Sequence, residues 1–148
     1  MGHRRTGLSS SASSPRAVLT AVRSPLLDLH RVLLDIERRQ HEVTHGRVSA
    51  TTLLGLALHH PAFMWLHQLS EVIARVDETL AQEEGPTWTD VETFARQVRA
   101  LLRPDAEGTD FERRYDQAVQ QSPEALLAHR AVIQALPSSP TAAPLTIH

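Results

Sequence analysis

The sequence predicts an all-α protein: a compact bundle of five to six helices with disordered N- and C-terminal tails. Three observations carry this reading. Apolar residues recur at steps of three and four along most of the chain, which is the period of one helix face. Capping residues stand at the head of nearly every such segment. No segment keeps the two-residue alternation of a half-buried strand.

Residues 1–23 read as a disordered extension, Arg- and Ser-rich and free of acid, with at most a turn of helix at 17–22. The stretch has no continuous apolar run, so it does not read as a secretory signal. Ser24-Pro25 is a favourable helix start, a capping hydroxyl followed by proline at the first helical position. Leu26, Leu29, Leu33, Ile36, Gln40 and Val43 then mark one face of a long helix ending near His45-Gly46, where glycine suits the left-handed terminal position.

Ser49 caps a short helix over 50–59. Pro61 opens the longest apolar helix, 61–80, with Phe63, Leu66, Leu69, Ile73, Val76 and Leu80 on one face. This stretch reads as the centre of the core. Thr89-x-x-Glu92 and Thr109-x-x-Glu112 are capping-box patterns opening two further helices. Val91, Phe94, Val98 and Leu101 face inward on the first, and Phe111, Tyr115 and Val119 on the second. Ser122-Pro123 opens the last helix, with Leu126, His129, Val132, Ile133 and Leu136. Residues 24–136 therefore read as a single helical domain, and the Pro- and Ser-rich residues 137–148 as a disordered tail.

Composition narrows the chemistry. The 148 residues are 41% hydrophobic but only 4% aromatic, so Leu, Val and Ala must fill most of the core. The formal net charge is −2, and residues 1–24 carry four arginines and no acid, which leaves −6 on the remainder. A net acidic body does not fit a nucleic-acid footprint, which needs clustered cations. There is no cysteine, and all 15 Lys and Arg residues are arginine. Disulfides, thiolate chemistry, Schiff-base chemistry and the phosphate-loop lysine are thereby excluded. No apolar run reaches the ~20 residues that span a bilayer. What remains available is histidine, carboxylate, hydroxyl and metal chemistry.

His41-Glu42-Val43-Thr44-His45 satisfies the HExxH pattern, in which two histidines one helical turn apart hold zinc and the glutamate activates water. The match is read as coincidental. Arg38, Arg39 and Gln40 flank it, Gly46 ends the helix just beyond His45, and no third-ligand motif follows. His67-x3-Glu71 has the HxxxE spacing found in hemerythrin-like bundles, with His30 as a possible further ligand, but the later helices offer only His129.

A second group of polar residues lies at the border of the apolar faces. At 100° per residue Ser70 and Asp77 fall beside Leu66 and Ile73, inside the apolar sector. A carboxylate placed there calls for a partner such as an arginine or a helix N-terminus. On the first helix His30, Glu37 and His41 line one edge of the stripe. The five residues His30, Glu37, His41, Ser70 and Asp77 form a candidate polar network if the two helices meet on these edges. A Ser/His/Asp hydrolase would also need a strained nucleophile turn and an oxyanion hole, and no segment suggests either.

Within Leu29–Glu78 several residues carry a resemblance: Leu29-His30-x3-Leu34, His45-Gly46-x-Val48, Leu53-Leu54 and Pro61-x-Phe63-x-Trp65-Leu66-x2-Leu69-Ser70-x2-Ile73-x3-Asp77-Glu78. On these the chain resembles a group of small bacterial all-helical proteins of unassigned function. The resemblance implies an all-helical soluble protein and brings no activity with it.

The expectation is thus a cytoplasmic structural or protein-interaction module with no cofactor. It would act as a homodimer or with another protein partner, and not with nucleic acid or membrane. The alternative is a metal-binding or hydrolytic protein with a His/carboxylate site, its metal held by His41, Glu42 and His45.

Overall fold

The computed structural model describes residues 14–137. Among these, six α-helices and one 3-10 segment follow one another with no strand. In order they are α1 (Pro15–His45), α2 (Ala50–His59), the 3-10 segment (Pro61–Leu66), α3 (His67–Ala81), α4 (Trp88–Leu101), α5 (Asp110–Gln121) and α6 (Pro123–Ala135). No described helix is long and apolar enough to cross a membrane.

The first helix corrects the sequence reading. The Ser-Pro start is used, but at Ser14-Pro15, ten residues before Ser24-Pro25. Ser14 Oγ accepts the amide of Ala17 at 3.0 Å. Pro25 sits inside the helix. It removes one backbone hydrogen bond and crowds the preceding turn, at a cost of roughly 3 kcal/mol. Against that stand Leu19 and Val22, both buried, at roughly 1.5–3 kcal/mol each. Arg16 adds a bond to the carbonyl of Leu80 at 3.0 Å. Burial therefore outweighs the proline. Residues 15–23, expected to be disordered but for at most a turn of helix at 17–22, are helix; residues 1–13 and 138–148 of the two expected tails lie outside the described residues.

The buried positions of α1 are Leu19, Val22, Leu26, Leu29, Leu33 and Glu37. The apolar face expected to continue through Gln40 and Val43 stops before them, and Val43 is 88% exposed. At the far end Gly46 takes φ 86° and its amide bonds the carbonyl of Glu42.

Two further starts differ from expectation. Residues 61–66 wind as a 3-10 turn rather than as the first turns of an α-helix. Tighter winding eclipses positions three apart, which stacks Phe63 over Leu66 on the core side. α4 is capped by Thr87 and not Thr89, in a reciprocal box with Asp90. Asp90 accepts the Thr87 amide at 2.9 Å and Thr87 accepts the Asp90 amide at 3.1 Å. An aspartate thus fills the role usually assigned to Glu or Gln. The Thr109–Glu112 box and the Ser122 cap form as read. Ser122 ends α5 and begins α6, so one residue makes that corner.

α1 is the hub. It packs on the 3-10 segment, α3, α4 and, most extensively, α6. The core is one continuous cluster running from Val22 to Leu136, with a smaller one of Leu19, Val76, Val91 and Phe94 at the N-terminal end of α1. On α6 Val132, and Leu136 at its C-terminal cap, are buried as expected; Ala125 is buried as well, while Ile133 is exposed. α2 stands apart, with no buried residue.

Candidate functional site

Of the five polar residues singled out, only His30 and Ser70 meet each other; Asp77 and Glu37 find other partners across the interface, so the contacts form separate rungs and not one network. Arg23 pairs with Asp77, His30 with Ser70, and Glu37 with Trp65. On α1 the rungs recur every seven residues, two helical turns or about 10 Å apart. Their partners run in reverse order, so α1 lies antiparallel to the 3-10 segment and α3. Ser70 and Asp77 are therefore about 10 Å apart along their own helix and cannot share one histidine.

At the first rung Asp77 takes both Nε–H and Nη2–H of Arg23, the latter at 3.3 Å. The bond to Asp77 is the main cause holding the Arg23 guanidinium above its ordinary pKa. The partner of Asp77 is of the kind the sequence called for. It comes, however, from the stretch expected to be disordered.

At the second rung Ser70 Oγ lies 2.8 Å from His30 Nε2 and 3.3 Å from the carbonyl of Leu66. Burial, with a smaller contribution from nearby His67, lowers the His30 pKa. The pair opens onto a cavity of about 460 Å³. Its walls are mainly apolar, from Leu34, Phe63 and Leu66 beneath and Leu54, Ala57 and Leu58 of α2 above. His67 Nε2 holds α2 in place through the Ala57 carbonyl at 2.9 Å. Ser70 lies in the first turn of α3, which continues directly from the 3-10 segment. It does not sit on the strand-to-helix turn that exposes a hydrolase nucleophile.

At the third rung Glu37 is buried, its side chain 9% exposed. Oε1 accepts the indole N–H of Trp65 at 3.1 Å and lies 3.8 Å from Arg114 Nη1. The sequence did not reveal this partnership, although a signal existed: the four-residue step from the buried Leu33 lands on Glu37.

His41 joins none of these pairs. Its ring stacks on His45 at 4.2 Å and meets the edge of His60 at 5.4 Å. Desolvation first, then the neighbouring His45 and His60, lowers its pKa. Glu42 is taken up differently. It accepts the Val48 amide at 3.0 Å and an Arg38 N–H at 2.9 Å, and these contacts, the Val48 amide foremost, lower its pKa. The HExxH residues thus share a helix end, with the glutamate clasping the following loop. Among the described residues no group of three or more His, Asp or Glu is placed to hold a metal ion.

Comparison with protein-family models, with curated proteins and with solved structures finds no significant match.

Proposed function

We propose that the protein is a non-catalytic interaction module that pairs with a second copy of itself through α2. One observation carries the reading: α2 buries none of its residues, and its Leu54 and Leu58 are 61% and 51% exposed while lining an apolar cleft. An apolar ridge beside an apolar groove on one face is self-complementary. A two-fold arrangement would set the leucines of each copy into the groove of the other. The continuous apolar wall below favours a protein surface as occupant, since contiguous exposed apolar patches mark interaction sites.

The test is the mass of the full chain by sedimentation equilibrium at micromolar concentration. A dimer is expected, with the doubly substituted Leu54→Glu, Leu58→Glu protein monomeric and equally helical by circular dichroism. A monomeric parent protein, or a dimer untouched by the two substitutions, would refute the proposal.

The metal-binding or hydrolytic alternative finds less support in the same geometry. Glu42 is committed to Val48 and Arg38, and Ser70 is not on a nucleophile turn. Elemental analysis of untagged protein, with His41→Ala and His45→Ala, tests it directly: stoichiometric zinc or iron lost in both variants would restore it.

A further inference from the structure

The third rung opens onto a second cavity, separate from the one beside α2. It holds about 370 Å³ between α1, α5 and the start of α6. That volume lies within the range of small-molecule sites. Ile36, Trp65 and Ala118 give it apolar walls, and Gln40, Gln117 and Gln121 give it amides.

Glu37 is the one buried charged residue among the described residues, and it lines this cavity. Oε1 is taken up by Trp65 and Arg114. Oε2 has no hydrogen-bond partner among the described residues, yet no side-chain oxygen is left both fully buried and unpaired. Oε2 therefore keeps its accessible surface toward the cavity. Oε2 is thus left to solvent in the cavity while the rest of the carboxylate is buried, and a ligand donor could take the place of that water.

Arg114 sets the second requirement. Its side chain is 43% exposed, and its contacts to Glu37 and Asp110 leave guanidinium donors over. An amine alone would meet the like charge of Arg114, and a carboxylate alone would meet Glu37. A ligand carrying both charges close together satisfies both. The charged lining is balanced as well, Glu37 and Glu124 against Arg39 and Arg114, so a ligand without net charge leaves the balance intact.

We infer that this cavity binds a small zwitterion of the α-amino acid class, with its ammonium on Glu37, its carboxylate on Arg114 and its side chain against Trp65 and Ala118.

The experiment is calorimetric titration of the full chain with L-leucine and L-glutamine, which match the apolar and amide walls. Isoamylamine and isovalerate serve as probes carrying one charge each. At least one amino acid is expected to bind at millimolar concentration or below. The single-charge probes and the Glu37→Gln and Arg114→Gln proteins should bind at least about tenfold more weakly, the range expected for one lost charge-assisted hydrogen bond. Binding should also shift the Trp65 indole N–H resonance and leave that of the exposed Trp88 in place. If Glu37→Gln does not fold, the partly exposed Arg114→Gln carries the decision. Binding of neither amino acid, equal binding of isoamylamine, or undiminished binding by the variants would overturn the inference.

Discussion

Arg23 and Asp77, 54 residues apart in sequence, close the first of three polar rungs that join α1 to α3 and the 3-10 segment before it. Their side chains are 38% and 43% exposed, so water and salt screen the pair. Asp77→Asn should change the thermal midpoint little, and the difference should shrink as salt is added. A large loss persisting in high salt would show that Asp77 does more than pair with Arg23.

The apolar residues around Arg23 matter more. Leu19 is buried in the smaller core cluster against Val76, Val91 and Phe94. Leu19→Ala should cost roughly 2–4 kcal/mol by denaturant unfolding. A change within experimental error would mean that the start of α1 is not docked in solution.

Pro25 gives a prediction of opposite sign. It lies inside α1, where it can neither donate to the preceding turn nor fit without crowding it. Pro25→Ala should stabilise the protein by about 1–3 kcal/mol, read as a higher denaturation midpoint with an unchanged slope. Destabilisation would imply that the helix needs a bend at this point.

Three histidines set the response to acid. Burial is the leading cause lowering the pKa of His30 and His129, and desolvation that of His41. Below the ordinary histidine value of about 6.5, the unfolded chain takes up protons that the folded chain refuses. Stability is therefore fully present above that value and falls as the pH drops toward the folded pKa values. Glu42, its pKa also lowered, adds its loss only at more acidic pH. Urea midpoints measured from about pH 7.5 to about pH 5 should decline, and His30→Gln should flatten part of the slope. A midpoint that rises toward acid would contradict the assignment.

Tyr115 is buried, and its hydroxyl lies 2.6 Å from His129 Nδ1. Burial raises the phenol pKa and lowers that of the histidine, so both groups are neutral and the histidine tautomer sets which one donates. Tyr115→Phe keeps the ring and removes the hydroxyl partner of His129, at an expected cost of about 1–2 kcal/mol. Calorimetric unfolding of the variant measures it, and a neutral result would mean that water replaces the lost partner.

Much of the helical content was legible because capping and periodicity are local. Ser49, Thr109 and Ser122 cap helices where their chemistry places them. The misses have one tertiary cause and one local cause. Ser14-Pro15 and Ser24-Pro25 are equivalent as punctuation, and only the burial of Leu19 and Val22 selects the first. Thr87 was passed over because its reciprocal partner is the shorter Asp90. The candidate site was half legible. An arginine partner for Asp77 follows from its place among apolar residues, and His30 does meet Ser70. That the five residues divide among separate contacts depends on the axial offset between two helices, which no single-helix projection contains. The seven-residue recurrence of Arg23, His30 and Glu37 against Ser70 and Asp77 was the available clue.

The extensive packing of α1 on α6 also bears on the order of events during synthesis. The hub helix is made first, but its broadest contact is with the last described helix, 78 residues after the end of α1 by the positions of His45 and Pro123. A nascent chain emerging from the ribosome can form α1 early as an amphipathic helix. It cannot cover that face until residues 123–135 have also been made, so the domain closes late and at long range.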